Sequence, residues 1–310
     1  MKISVVGGAG RVGSNTAFAL QAWGLGNELA LIDVNTDGAA GEALDLLHGA
    51  AFTAPQRITS GGFDHLQGSD IIVVTAGLRR QPDEPRLALI NRNVKLFNDI
   101  MDHIRKAAVP AHCVLVVVTN PVDILTHVAV ERSGLPPQQV LGLGTVLDTL
   151  RFRSLLADYF QLDATQMQAL ILGEHGDSMV PIWSTANING VPFTSLPAYE
   201  QSKITAIFER ARKSGAEVIK LKGGAGYAVG IAIAAVVRAV ARDTKTLLPV
   251  STLQTGLYGI RDVCLSVPTV VGAGGAERLV EMELWPKEEA GMRHSAESLK
   301  ATLEQVRAAR

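Results

Sequence analysis

Apolar runs that are typical of buried strands alternate with helix-like segments through the first half of the chain. The strand patterns lie at residues 3–6, 28–32, 71–75, 114–119 and 140–143. Helical patterns lie between them, at residues 14–20, 86–107 and 123–132. Repeated strand and helix units of this length predict a parallel sheet that is covered by helices on both faces.

The pattern becomes mixed beyond residue 143. Helical patterns at residues 204–221, 227–243 and 288–309 are interspersed with strand patterns at residues 247–257 and 263–271. The predicted fold class is therefore α/β, with a doubly wound parallel sheet followed by a mixed α/β domain. A chain of 310 residues suggests two domains, which we place at residues 1–143 and 144–310.

Composition and charge favour a protein that acts on small molecules. The chain is 47% hydrophobic with a formal net charge of -1, so we expect neither nucleic acid nor a membrane as partner. The uncharged apolar segment at residues 223–237 is too short to cross a bilayer, and we expect no secretory leader. Cys113 and Cys264 lie in apolar surroundings, which predicts reduced, buried thiols in a cytoplasmic protein and no metal cluster.

A glycine-rich turn follows the first strand pattern and precedes the first helix pattern. Gly8, Gly10 and Gly13 occupy the positions of a dinucleotide-binding fingerprint, in which glycine lets the backbone approach a pyrophosphate. Asp33 ends the second strand pattern twenty residues beyond Gly13, where a carboxylate can accept hydrogen bonds from ribose hydroxyls. Because this acid would repel a 2'-phosphate, a Rossmann domain that binds NAD rather than NADP is predicted. The alternative is a glycine-rich turn followed by an unrelated aspartate.

Two further candidates follow later strands, and an arginine-rich loop lies between them. Gly77 and Asn120 fall beyond strand ends, where such sheets bind ligands. Residues 78–86 read LRRQPDEPR, a polar loop stiffened by two prolines. It is either a solvated surface loop or a lid whose guanidinium groups, such as Arg80 and Arg86, capture a carboxylate substrate.

Residues 173–178, which read GEHGDS, follow an apolar run at residues 169–172. His175 lies between two glycines at the end of a predicted strand, and histidine titrates closest to neutral pH. The segment is either a turn with an incidental histidine or an acid–base site. Asp148 and Arg151 share one helix face. They either form a local ion pair, or Asp148 accepts a hydrogen bond from His175 while Arg151 binds a ligand carboxylate.

Five features in this order and spacing resemble the lactate and malate dehydrogenase family. They are the glycine turn, Asp33, residues 119–123 (TNPVD), residues 147–153 (LDTLRFR) and residues 173–177 (GEHGD). The resemblance extends from residue 2 to about residue 300. It implies a Rossmann domain followed by a mixed α/β substrate domain, and reversible hydride transfer between NAD and a 2-hydroxy acid.

The resemblance also implies roles for individual residues. His175 would be the general acid and base, with Asp148 setting its tautomer and stabilising the imidazolium. Arg151 would bind the substrate carboxylate, and Arg86 would polarise the reacting carbonyl. Asn120 would bind near the reacting centre and the nicotinamide. The expected cofactor-binding residues are Gly8, Gly10, Gly13, Asp33, Gly77, Asn93 and Asn120, and the expected substrate-binding residues are Arg80, Arg86, Asn120 and Arg151.

The lid residue at position 80 bears on which acid is reduced. In this family the corresponding residue is commonly glutamine in lactate enzymes and arginine in malate enzymes, so Arg80 favours oxaloacetate and malate. Ala225 favours the same substrate, because lactate enzymes usually have threonine there. Glu84 is more typical of lactate enzymes. We therefore expect a malate dehydrogenase, with a lactate or other 2-hydroxy acid dehydrogenase as the alternative, and a non-catalytic NAD-binding protein as a more distant one. The family further implies a homotetramer or homodimer.

Overall fold

The computed structural model describes residues 1–78 and 84–308, and of Arg86 it describes the backbone alone. The strands are β1 (Lys2–Val6), β2 (Glu28–Ile32), β3 (Arg57–Gly61), β4 (Ile71–Val74), β5 (Val114–Val117), β6 (Val140–Gly142), β7 (Met167–Leu172), β8 (Val180–Ile188), β9 (Val191–Pro192), β10 (Thr246–Thr255), β11 (Arg261–Gly272) and β12 (Gly275–Leu279). The helices are α1 (Arg11–Ala22), α2 (Thr36–His48), α3 (Arg86–Lys106), α4 (Val122–Arg132), α5 (Val146–Phe160), α6 (Gln201–Lys222), α7 (Tyr227–Ala241) and α8 (Pro286–Ala308).

Six parallel strands form the centre and one side of the main sheet. Their order is β6-β5-β4-β1-β2-β3, with β1 pairing to β2 on one side and β4 on the other. The chain reverses direction across the sheet between β1 and β4, which leaves a crevice at the carboxyl ends of these strands. The predicted doubly wound α/β fold is confirmed, and all strand-end candidates of the first half lie at this edge.

Strands from the second half extend the same sheet. β10, β11 and β12 pair antiparallel with one another, and Ser251 of β10 pairs with Gly142 of β6. The sheet is therefore continuous across residue 143, although the division into residues 1–143 and 144–310 stays a prediction. A separate antiparallel sheet has the order β7-β8-β9.

Apolar side chains fill the space on both faces of the main sheet. Alternate residues of a strand point to opposite faces, so Ile3 and Val5 pack with Leu20 of α1 and Val236 of α7 on one side. Val6 packs on the other side with the helices α3, α4 and α8. Burying each large aliphatic side chain contributes about 1.5–3 kcal/mol, so the crevice lies on a rigid support.

The pattern did not predict β3 and β12, the two edge strands of the main sheet. β3 reads RITSG, contains a single large apolar residue and has no fully buried position. An edge strand covered on one side needs little apolar content, which explains why periodicity did not indicate it. Among the helices that the structure describes, none has the length and apolarity that crossing a bilayer requires.

Candidate active site

The glycine turn lies between β1 and α1 and leaves no room for side chains. A Cβ at Gly13 would lie 2.1 Å from the Gly7 carbonyl oxygen, and a Cβ at Gly8 would lie 2.8 Å from Leu31. Gly7 has φ of +90°, in the region that favours glycine. The turn is therefore a smooth backbone surface against which a bulky anion can lie closely.

Helix α1 begins at this turn without a side-chain cap. Its N-cap residue is Gly10, and within the described part of the chain no side-chain hydrogen bond caps the helix. Uncapped N–H groups and the positive end of the helix dipole favour a bound phosphate. The narrow turn and the open helix end together fit the pyrophosphate of a dinucleotide.

Asp33 follows β2 and contacts the same turn. One carboxylate oxygen accepts a hydrogen bond from the Ala9 amide at 3.0 Å, and the other accepts one from the Asn35 amide at 3.0 Å. Each oxygen can accept a further hydrogen bond. Asp33 therefore stabilises the turn, and its carboxylate oxygens can still accept hydrogen bonds from ribose hydroxyls.

Of the other predicted cofactor residues, Gly77 and Asn120 follow β4 and β5, and Asn93 lies on α3. Gly77 passes so close to Thr119 that a Cβ would lie 2.6 Å from its methyl group. Asn93, on α3, is buried, and its side-chain amide bonds both the amide and the carbonyl of Leu78, at 2.8 and 3.4 Å. The contacts of Asn93 thus fix the backbone after Gly77. Asn120 is exposed at the end of β5.

The histidine loop starts at Gly173, directly after β7. Gly173 exchanges two backbone hydrogen bonds with Ser266 of β11, each 2.9 Å long. Its φ of +82°, and Ser295 at 2.7 Å from a hypothetical Cβ, require glycine at this position. The loop that holds His175 is therefore anchored to the main sheet as well as to β7.

His175 and Asp148 form a short hydrogen-bonded pair. His175 Nδ1 and Asp148 Oδ2 lie 2.5 Å apart. Asp148 comes from the first turn of α5 and its side chain is 1% exposed, whereas that of His175 is 21% exposed. With Nδ1 bound to the carboxylate, Nε2 is the nitrogen left for a substrate.

Arg151 contacts the other oxygen of the same carboxylate. Its Nη1 donates to Asp148 Oδ1 at 3.1 Å, one turn along α5. Asp148 thus forms the local ion pair with Arg151 and also accepts a hydrogen bond from His175, while the binding of a ligand carboxylate by Arg151 stays a prediction. The guanidinium side chain is 16% exposed and has further donors for an anion.

Burial and charge act in opposite directions on this pair. Burial lowers the pKa of His175, but the charge and hydrogen bond of Asp148, together with the charge of Asp123, outweigh it, so the pKa is raised. Burial likewise raises the pKa of Asp148, but the charges and hydrogen bonds of His175 and Arg151 outweigh it and lower the pKa. The pair thus favours an imidazolium beside a carboxylate.

Asp123 belongs to the site, although the sequence-based reasoning gave it no role. It lies in the first turn of α4, is 2% exposed, and its Oδ2 accepts the backbone N–H of His175 at 2.7 Å. Its position directly after the Asn120-Pro121-Val122 stretch was the available signal. A carboxylate at a strand end beside a proposed site would have been a reasonable candidate.

The structure describes the two predicted lid arginines only in part. Arg80 lies outside the described residues, and Arg86 is placed at the start of α3 by its backbone alone. Glu84 is buried, and its Oε1 accepts a hydrogen bond from Arg92 of α3 at 2.6 Å. Glu84, the residue that is more typical of lactate enzymes, thus forms an ion pair with Arg92 of α3.

Fold and site together define an NAD-binding α/β protein with a histidine–aspartate pair beside an arginine. Two family models match: the lactate/malate dehydrogenase NAD binding domain over residues 1–142, and the lactate/malate dehydrogenase alpha/beta C-terminal domain over residues 145–310. The chain belongs to the lactate/malate dehydrogenase family. It is an NAD-dependent 2-hydroxy acid dehydrogenase by class, and its cofactor is NAD.

Similar proteins cover nearly the whole chain. L-lactate dehydrogenase 1 of Clostridium acetobutylicum is 42% identical over 310 residues, which covers 98% of each chain. L-lactate dehydrogenase of Acetivibrio thermocellus is 43% identical and covers 96% of this chain and 95% of its own. The solved structure of a minor L-lactate dehydrogenase from Enterococcus mundtii, with ligands bound, has a TM-score of 0.94 at 34% identity and covers 98% of both chains.

These comparisons correct the expected substrate. The prediction of a malate dehydrogenase is wrong, because relatives at 40–43% identity are named L-lactate dehydrogenase. The prediction relied mainly on Arg80. A guanidinium selects a dicarboxylate only where it faces the substrate unpaired, and the identity of one lid residue does not determine its direction.

Proposed function

We propose that this protein catalyses the reversible reduction of pyruvate to L-lactate with NADH. The observation that carries the proposal is the similarity, at 40–43% identity over nearly the full length, to proteins named L-lactate dehydrogenase. The pairing of His175 with Asp148 beside Arg151 supports it, because reduction of a 2-oxo acid needs a proton donor and an anchor for a carboxylate.

His175 is the general acid for reduction and the general base for oxidation. Its Nδ1 is bound to Asp148, so the proton that reaches the carbonyl oxygen of pyruvate comes from Nε2. Asp148 stabilises the imidazolium before transfer and fixes the ring orientation. In the opposite direction, neutral His175 takes the hydroxyl proton of lactate at the same nitrogen.

Arg151 binds the carboxylate of the substrate. One of its nitrogens is held by Asp148, which leaves further N–H groups of the planar fork to form parallel hydrogen bonds with an anion. Because the fork is fixed by a buried partner, little conformational entropy is lost when the substrate binds. Roles for Arg86 and Asn120 at the carbonyl and nicotinamide, and for Arg80 in the lid, stay predictions.

The residues of the glycine turn fit the cofactor. Gly8, Gly10 and Gly13 provide the bare backbone, the uncapped start of α1 provides N–H donors, and Asp33 provides acceptors for ribose. When bound, NAD accepts or delivers the hydride. The protein's part is to align the substrate through Arg151 and to exchange the proton through His175.

Steady-state rates of NADH oxidation with pyruvate and with oxaloacetate test the proposal. We expect kcat/KM for pyruvate to exceed that for oxaloacetate by at least tenfold. Oxaloacetate as the better substrate, or no turnover with pyruvate, would contradict the assignment. A His175→Asn variant that binds NADH normally but loses turnover separates catalysis from cofactor binding.

We also infer that the protein forms a homodimer or homotetramer. Large apolar side chains are exposed on α1, α2 and α7, among them Phe18 (64% exposed), Leu47 (51%) and Tyr227 (75%). Phe18 and Tyr227 line one groove with residues of α2. Light scattering after size-exclusion chromatography tests the inference, and a monomer at micromolar concentration would contradict it.

A further inference from the structure

Asp123 is a buried carboxylate that contacts the proposed acid–base residue from a second direction. Asp148 reaches His175 through the ring nitrogen Nδ1, whereas Asp123 Oδ2 accepts its backbone N–H at 2.7 Å. Asp123 comes from α4 and Asp148 from α5, so the two carboxylates reach the histidine from different helices. A hydrogen bond to the backbone N–H fixes the position of the loop, whereas a hydrogen bond to the ring fixes only the side chain.

The surroundings of Asp123 are costly for a carboxylate. The groups that face it are Ser251 of β10, Cys264 of β11, and Glu174 and His175 of the histidine loop. Its Oδ1 is buried and has no hydrogen-bond partner of standard geometry in the described part of the chain. Burial raises the pKa of Asp123 to about 6, although the Ser251 hydroxyl, the His175 N–H and the imidazole charge act against this.

A plain structural role does not require this charge. An asparagine would accept the same N–H hydrogen bond without the cost of a buried carboxylate. The charge of Asp123 has one favourable effect on a described neighbour, since it raises the pKa of His175 in addition to the effect of Asp148. The carboxylate that is costly to bury therefore also favours protonation of the His175 imidazole.

We propose that Asp123 is a positioning residue for the proposed reaction: it holds the backbone of His175, and its negative charge, added to that of Asp148, keeps the imidazole protonated for reduction of the 2-oxo acid. The proposal rests on the proposed function in so far as His175 is the acid. It extends the histidine–aspartate pair to a group of one histidine and two carboxylates whose titrations are linked.

The first test replaces Asp123→Asn, which keeps the shape and an acceptor but removes the charge. We expect the alkaline limb of the pyruvate-reduction profile to move about 0.5–1 pH unit lower, since the imidazolium loses the attraction of a buried negative charge. The KM for pyruvate near pH 6 and the Kd for NADH should stay within twofold. Asp158→Asn, an equal loss of charge at an exposed position of α5, should leave the profile unchanged.

A second variant separates the hydrogen bond from the charge. Asp123→Ala removes both and leaves the N–H of His175 without its acceptor, so kcat should fall about 10–100-fold beyond the Asp123→Asn value. Equal kcat and an unshifted profile in Asp123→Asn, with a normal thermal midpoint, overturn the proposal. So does a loss of activity in Asp123→Asn without any shift of the limb, which would indicate a structural role alone.

Histidine ring NMR gives a readout that does not depend on turnover. The chain has 7 histidines, and the His175→Asn spectrum assigns the relevant resonance. In the unmutated protein, without substrate, the His175 signal should show a second inflection near pH 6 as Asp123 titrates. A His175 titration curve that is unchanged in Asp123→Asn overturns the proposal. Two inflections in a protein that does not reduce pyruvate would refute the proposed function and leave the role of Asp123 standing.

Discussion

Replacing Asp148→Asn tests the central pair of the site. Asp148 is 1% exposed and accepts hydrogen bonds from His175 Nδ1 at 2.5 Å and from Arg151 Nη1 at 3.1 Å. Both partners donate, whereas an amide offers one acceptor oxygen and one donor nitrogen. Whichever way the amide turns, one partner faces an N–H group instead of an oxygen.

The magnitude follows from these two bonds. A hydrogen bond between charged groups contributes about 1.5–3 kcal/mol, and a buried donor left unpaired costs a similar amount. If half to all of one such bond strengthens the transition state, the barrier rises by about 0.8–3 kcal/mol, which corresponds to a roughly 4–150-fold lower kcat/KM for pyruvate. Packing changes little, because the two side chains have almost the same volume.

The pH dependence provides an independent check on the sign. Reduction requires protonated His175, and Asp148 raises the pKa of that imidazole. Without the carboxylate the pKa falls, so the alkaline limb of kcat/KM moves to lower pH and the deficit is larger at pH 8 than at pH 6. Stopped-flow or steady-state oxidation of NADH from pH 5.5 to 9 measures both effects. A loss below threefold across this range with an unshifted limb would refute the reasoning, and Asp158→Asn on the same helix is the control.

Two further predictions concern the cofactor turn and the substrate anchor. Gly13→Ala should lower the free energy of unfolding by about 3 kcal/mol and weaken NADH binding at least tenfold, because its Cβ would lie 2.1 Å from the Gly7 carbonyl oxygen. Gly41→Ala is the control, because the new Cβ would have no described neighbour within 4 Å. It should raise the free energy of unfolding by about 0.5–1 kcal/mol and leave NADH affinity unchanged. Thermal midpoints measure the stability of both variants, and fluorescence titrations measure their affinity for NADH. Arg151→Lys should raise the KM for pyruvate about 10–100-fold with unchanged NADH affinity, because lysine cannot form two parallel hydrogen bonds; an unchanged KM would contradict its role as anchor.

Elements with a strong local pattern were predicted well from the sequence. β2 has the predicted bounds of residues 28–32, and the predicted helix at residues 227–243 corresponds to α7 at Tyr227–Ala241. β3 and β12 were not predicted, because edge strands contain few buried side chains and so lack a clear alternation. The antiparallel pairing of β10 with β6 was also not predicted, since strand patterns carry little information about distant partners.

The candidate site was predicted unevenly, for related reasons. The glycine turn and Asp33 are close in sequence and belong to one strand–helix–strand unit, so local spacing was sufficient to propose their roles. The hydrogen bond between the Asn93 side chain and the Leu78 backbone spans 15 residues and was not indicated by local spacing, while the cofactor role of Asn93 stays a prediction. The substrate expected from Arg80 was wrong, since relatives at 40–43% identity are named L-lactate dehydrogenase, and the identity of one lid residue was not sufficient to predict the substrate.

The sequence by itself determined the local parts: strands and helices from their periodicity, and a dinucleotide turn from the spacing of its glycines between a strand pattern and a helix pattern. Tertiary structure decided which of these parts meet. His175 is 27 residues from Asp148 and 52 residues from Asp123, yet both carboxylates bond it. Such contacts depend on how α4 and α5 pack against the sheet. Packing is a property of the whole core, so the protonation of the histidine is controlled by residues that the local pattern does not connect to it.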